Sequence, residues 1–181
     1  MLLRTLNDTC KNLEYIAYMQ KMSEHCDVFL GGTCSGSKWR DELIPMLGDV
    51  TYFNPMKEAH EEWTLCDQEK EDRYKEECPY LLYVLTPKMQ GFYTIAEVVD
   101  SSYKKRQATI FCVLLEYEGE RFGEVQKRSF KAIEKLLENN KVTVKHSLDE
   151  IAKFLKTRPR KQKSMANVIR GVLKRTRNYT Q

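Results

Sequence analysis

The run Ala108-Thr-Ile-Phe-Cys-Val-Leu-Leu115 constrains the fold more than any other stretch of the chain. It is apolar almost without interruption, so it presents no polar face to water and must be covered on both sides, as in a parallel sheet. Such a strand needs parallel neighbours reached by crossovers. Asp27-Val-Phe-Leu-Gly-Gly-Thr33 and Tyr80–Leu85 are further short apolar runs. Val50-Thr-Tyr-Phe-Asn-Pro55 is a shorter one stopped by Pro55, and Val142-Thr-Val144 is a fifth. Between them fall segments of helical periodicity. Trp39, Leu43, Met46 and Leu47 share one face, as do Phe92, Ile95, Ala96 and Val99 within 92–103. Asp67–Glu77 reads as helix, and Glu124–Asn139 as a helix with Val125, Ala132, Ile133, Leu136 and Leu137 inward. Gly119–Gly123 reads as a loop, and Ser147-Leu-Asp-Glu150 as a capping box opening a helix through Leu155. The alternation predicts an α/β fold: a five-stranded parallel sheet with helices on both faces.

The ends differ from this body. Asn7 and Asp8 can cap a helix carrying Cys10, Leu13, Ile16 and Ala17, so 1–25 reads as an N-terminal helix and 26–156 as the α/β domain. Residues 157–181 read as a basic tail: a hinge, Arg158-Pro-Arg-Lys-Gln-Lys163, then an amphipathic helix with Met165, Val168, Ile169, Val172 and Leu173. Nine of the 30 Lys and Arg lie between Lys156 and Gln181, where there is no acid, which leaves 21 bases against 26 acids elsewhere. The net charge of +4 therefore hides an acidic body with a basic tail. Unopposed positive charge suits salt-dependent contact with nucleic acid or a protein partner, although a solvated extension has the same composition.

Cys10, Cys26, Cys34, Cys66, Cys78 and Cys112 contain no CxxC pair, and with His25, His60 and His146 they make no metal-ligand spacing. The expectation is free thiols in a reducing cytoplasm, with no metal and no cofactor. No apolar run approaches the roughly 20 residues of a membrane span, and the start of the chain has no signal-peptide pattern.

Chemistry-bearing residues gather at the expected strand ends, the edge where ligands bind in open α/β sheets. Glu97 sits in the first turns of the helix that follows Tyr80–Leu85, after a turn marked by Pro87 and Gly91. An ordinary solvated helix carboxylate would occupy the same position. Cys34-Ser-Gly-Ser-Lys-Trp-Arg40 is a Gly/Ser-rich loop running into a helix, where free backbone N–H groups and a positive helix start suit an anion. It has neither GxxxxGK[ST] nor GxGxxG, and a plain tight turn has the same composition. Nine acids between 58 and 77 are mostly a solvated face, with one or two placed to point over the sheet edge towards Glu97.

Several motifs in order carry a family resemblance. They are Val28-Phe-Leu-Gly-Gly-Thr-Cys-Ser-Gly-Ser-Lys-Trp-Arg-Asp-Glu-Leu-Ile-Pro45, Phe53-Asn-Pro55, Glu71-Asp-Arg73 with Glu77-Cys78, Leu82-Tyr-Val-Leu-Thr-Pro87 and Gly91-Phe-Tyr-Thr-Ile-Ala-Glu-Val-Val-Asp-Ser101. Over roughly 27–145 the chain resembles the nucleoside 2-deoxyribosyltransferase-like proteins, in their bacterial and phage branch. The resemblance implies a flavodoxin-like fold and cleavage of the N-glycosidic bond of a deoxynucleoside or nucleoside monophosphate. The sugar then passes to another base or to water. It assigns the nucleophile to Glu97, and a second carboxylate to Glu71 or Asp72. A carboxylate attacking C1′ forms a glycosyl ester, and a second attack restores the configuration. It gives the first loop (Gly32, Thr33, Ser35, Gly36, Ser37 and Arg40) a role in holding sugar or phosphate. Gln90, Gly91 and Tyr93 are further candidates, and Asn54 and Trp63 are expected at the base pocket. The sequence departs from the family at Phe29, where a Tyr is often found, and at Pro79, where an acid is common. Family transferases also borrow residues from a neighbouring subunit, so a homo-oligomer is a candidate state. The competing expectation is a non-catalytic nucleotide-binding or regulatory module whose basic tail contacts nucleic acid or protein.

Overall fold

The computed structural model describes residues 26–34, 36–57 and 62–158. The helix expected over 1–25, Ser35 and the tail beyond Arg158 lie outside the described residues. The order of elements is β1 (Val28–Gly32), α1 (Trp39–Leu47), β2 (Tyr52–Phe53), α2 (Leu65–Glu77), β3 (Tyr80–Leu85) and α3 (Tyr93–Lys104). A short 3-10 turn (Arg106–Ala108) leads to β4 (Thr109–Val113), β5 (Glu116–Tyr117), β6 (Glu120–Arg121), α4 (Glu124–Asn139), β7 (Thr143–Lys145) and α5 (Leu148–Lys156).

Five strands form one parallel sheet in the order β2-β1-β3-β4-β7. This is the flavodoxin-like order, with its switch point between β1 and β3. The apolar strands are two-sided, as their sequences required. Val28, Leu30, Leu82, Val84, Ile110 and Cys112 face one layer with Trp39, Leu43 and Leu47 of α1 and Ile151, Ala152 and Leu155 of α5. Phe29, Leu81, Tyr83, Leu85, Phe111 and Val113 face the other, with Tyr74 of α2, Val98 of α3 and Phe130 and Leu137 of α4.

Three local expectations are corrected. Gly119–Gly123 is not wholly loop, because Glu116–Tyr117 and Glu120–Arg121 pair as a small antiparallel hairpin, with Gly119 at φ +79 and Glu118 at φ +51 in its turn. The expected capping box at Ser147 forms by halves. Ser147 Oγ accepts from the Glu150 N–H at 3.2 Å, but the Glu150 carboxylate accepts from the N–H of His146 rather than of Ser147. A complete box closes instead at Thr64 and Asp67, at the start of α2.

The third concerns the thiols: Cys26 and Cys78 are joined by a disulfide, with Cα atoms 5.3 Å apart. The sheet register explains the pairing. Val28 lies opposite Tyr80 in the parallel β1–β3 ladder, so a cysteine two residues before each arrives at the same edge. Cys34, Cys66 and Cys112 are free thiols among the described residues.

Candidate active site

A cleft of about 380 Å³ opens at the carboxyl ends of β1 and β3, at the switch point. Its floor exists because two residues lack side chains. A Cβ on Gly31 would lie 2.8 Å from the Tyr83 ring and 2.9 Å from the Phe29 ring. A Cβ on Gly32 would lie 2.1 Å from the Val84 carbonyl oxygen, and Gly32 holds a φ of +131, which L side chains rarely adopt.

Glu97 lines this cleft from α3, with Tyr93 and Thr94 one turn before it. Opposite, α2 supplies Gln68, Glu71, Asp72 and Lys75. The i,i+3/i+4 spacing of a helix sets these side chains on one face. At the centre is Lys75. Its ammonium donates to Glu71 Oε1 at 2.6 Å and also to Glu97 Oε1, so it joins α2 to α3. It sits 5.4 Å from the centre of the Phe29 ring, whose face attracts a cation. Phe29 itself brings no hydroxyl.

Burial pushes the Glu97 carboxyl up from its ordinary value, and Glu71 and Asp72 add to that push, while Lys75 opposes it. For Lys75, burial disfavours the ammonium, but the bonds to Glu71 and Glu97 outweigh it and leave its pKa raised. A second cavity of about 650 Å³ lies beyond the ion pair, between α2 and α3, lined in part by Leu81, Tyr83 and Ser101. Glu97, Lys75, Asp72 and Tyr93 border both. In the second cavity, burial pushes the Tyr83 phenol up to about 12, and its hydroxyl lies 2.9 Å from Ser101 Oγ.

The expected residues divide into two groups. Gly32, Arg40, Trp63, Glu71, Asp72, Tyr93 and Glu97 meet at the cleft. Thr33, Gly36, Ser37, Asn54, Gln90 and Gly91 do not line it, and Ser35 lies outside the described residues. The first loop is occupied with its own architecture. Thr33 Oγ1 accepts from the Thr86 N–H at 3.0 Å, and Thr86 Oγ1 donates to Ser37 Oγ at 3.0 Å. Arg40 is buried and donates to the Leu30 carbonyl at 3.0 and 3.3 Å and to the Thr33 carbonyl at 2.8 Å. Asn54 closes an Asx turn, accepting from the Met56 N–H at 3.2 Å. At the start of α1 the Lys38 N–H already donates to Glu118 Oε2 at 3.2 Å, and Glu118 Oε1 pairs with Lys88 at 3.1 Å.

Phe29, singled out as a departure from the family, lines the cleft, and sequence reasoning missed Gly31, Cys34, Pro55, Gln68, Lys75 and Thr94. For Lys75 a signal was present, since Glu71 and Lys75 stand at the i,i+4 spacing of a helical ion pair. Among the described residues no group of His, Cys, Asp or Glu is arranged to hold a metal, and no helix is long and apolar enough to cross a membrane.

Searches of curated proteins and of solved structures gave no match to this chain. A family model described as nucleoside 2-deoxyribosyltransferase like matches residues 25–117, which hold β1 to β4, Glu71, Lys75 and Glu97. The chain thus belongs to the nucleoside 2-deoxyribosyltransferase-like family.

Proposed function

We propose that the protein cleaves the N-glycosidic bond of a deoxynucleoside or nucleoside monophosphate, with Glu97 as nucleophile. Glu97 attacks C1′, the C1′–N bond breaks with its electrons leaving on the base, and a glycosyl ester forms on the carboxylate. Water or a second base then attacks C1′ and frees Glu97. Asp72, at the exposed rim and without an ion pair to any described residue, relays a proton from solvent water to the leaving base and takes up the proton that the acceptor releases. Glu71 is committed to Lys75 and orients the site. The half-exposed Trp63 and the exposed Tyr93 offer aromatic faces to a base at the mouth.

One observation carries this reading. Glu97 of α3 and Asp72 of α2 line one cleft from facing helices, so a nucleophile and a second carboxylate border the same space, as bond cleavage by a carboxylate pair requires. The family membership is consistent with it.

The test is a screen of deoxynucleosides, ribonucleosides and their monophosphates for base release, with and without a second base, run beside Glu97→Ala. Wild type should release base, and the variant should lose at least about a thousandfold in kcat. Base exchange in the presence of the second base marks transfer, and free sugar marks hydrolysis. No release from any substrate, or equal release by Glu97→Ala, would overturn the reading.

A further inference from the structure

A nucleophilic carboxylate in a partly buried site faces two problems. It must be ionised before attack, although burial disfavours the charge. It then loses that charge on forming the ester, so any cation paired only with it is left buried and unpartnered, which is costly. The arrangement of α2 and α3 answers both. Lys75 touches Glu97 and Glu71 at once, and all three side chains are largely sheltered, with 19% of Lys75, 19% of Glu71 and 14% of Glu97 exposed. The underside of the ammonium rests over the Phe29 ring, which offers it no hydrogen-bond acceptor that could draw it away.

We propose that Lys75 is the positioning residue of this site: it holds the Glu97 carboxylate for attack on C1′, and by sharing its ammonium with Glu71 it keeps a partner while Glu97 is esterified. This rests on the reading of Glu97 as nucleophile. In the first half-reaction Glu97 loses its negative charge to the new C–O bond, and Lys75 remains paired with Glu71. In the second, the acceptor's attack breaks that C–O bond, its electrons return to Glu97, and the Lys75–Glu97 pair re-forms. Lys75 exchanges no proton in either step.

The other groups facing Glu97 do not supply this function. On α2, Asp72 is a like charge. On β3, Tyr83 is bonded to Ser101, with its phenol pushed up to about 12 by burial. Asp100 on α3 pairs with Lys104 at 2.7 Å. On α1, Arg40 gives its donors to backbone carbonyls and Cys34 Sγ, and the Cys34 thiol donates to the Gly32 carbonyl at 3.3 Å. Lys75 is the one cation among the described residues in direct contact with Glu97.

The experiment titrates Glu97 itself. Protein labelled with 13C at the Glu side-chain carboxyls is followed by NMR against pH, with Glu97 assigned from Glu97→Gln, in wild type, Lys75→Met, Lys75→Arg and Glu71→Gln. Removing an opposite charge in contact should raise the Glu97 midpoint in Lys75→Met by about one to three units. Lys75→Arg should restore most of that shift. Glu71→Gln should move the midpoint the other way, because a like charge is gone and Lys75 turns wholly to Glu97. The acid limb of kcat/KM for base release should follow the same order, since the nucleophile acts only when ionised. A Glu97 midpoint unmoved in Lys75→Met, or moved upward in Glu71→Gln, overturns the proposal. Wild type releasing no base while the midpoints shift as stated would leave the Lys75–Glu97 coupling standing and overturn its catalytic role together with the proposed function. Normal base release with unmoved midpoints would overturn the Lys75 role alone.

Discussion

The two faces of the sheet are built to different ends. Under α1 and α5 the layer is nearly dry: Val28, Leu30, Leu82, Ile110, Leu43 and Ile151 are fully buried, and the buried guanidinium of Arg40 is spent on the Leu30 and Thr33 carbonyls. Under α2 and α3 the apolar layer stops short. Tyr74, Val98 and Phe111 are buried there, but beyond them lie two cavities, a lysine and several carboxylates. One face closes by area, at about 25 cal/mol per Å² of apolar surface removed from water. The other is bridged in part by charge, through a cation shared between two helices. Stability and chemistry are thus placed on opposite sides of the same strands, and changes on each side should have separable effects.

The largest expected effect that sharpens this contrast comes from the dry face. Ile151→Ala should cost about 2–5 kcal/mol, by lost transfer energy and the cavity left behind, while base release per folded molecule stays within about twofold of wild type. Chemical denaturation beside rate measurement on the folded fraction checks both halves, and a large loss of activity per folded molecule would break the separation. Next is Trp63→Ala on the open face. Loss of one stacking surface should raise KM about tenfold, within the 1–3 kcal/mol of a base–aromatic contact, and leave the Tm unmoved. The smallest is Thr64→Ala. Its hydroxyl accepts from the Asp67 N–H at 3.3 Å and closes the capping box of α2, so the change should cost about 1 kcal/mol in urea unfolding. Because α2 carries Glu71 and Lys75, that variant should also show a modest fall in kcat, whereas a cap variant on α5 should not.

How much of this was legible in the sequence follows the same division. The sheet could be read because buried parallel strands announce themselves as unbroken apolar runs, and Thr109–Val113 and Tyr80–Leu85 lie within the expected segments. Glu97 could be placed at the sheet edge, because strand, turn and helix succeed one another within a few residues. Lys75 was missed because an acidic helix of low apolarity gives no inward face, so a lysine in it reads as solvated. Only the strand register turns α2 so that Lys75 meets Glu97, 22 residues away. The Cys26–Cys78 bond was hidden for a related reason, since 52 residues separate two positions that the β1–β3 ladder makes neighbours. The loop residues Thr33, Ser37 and Arg40 were expected to hold a ligand because their side chains carry donors. What each one faces is decided only in three dimensions: the Leu30 and Thr33 carbonyls take the Arg40 donors, while the Thr33 and Ser37 hydroxyls accept from Thr86.

The small hairpin Glu116–Arg121 carries a consequence for anything that approaches the start of α1. Its Glu118 accepts from the Lys38 N–H and pairs with Lys88, whose ammonium also donates to the Gly36 carbonyl at 3.3 Å. The hairpin is further tied down by Tyr117, whose hydroxyl donates to Glu42 of α1 at 2.6 Å. A tethered carboxylate behaves as a ligand at a high effective concentration, on the order of millimolar or more for a short tether. An external anion at that helix start therefore meets competition from the chain's own side chain. To bind there, it must match the contacts that Glu118 already makes and exceed them by the tether's advantage.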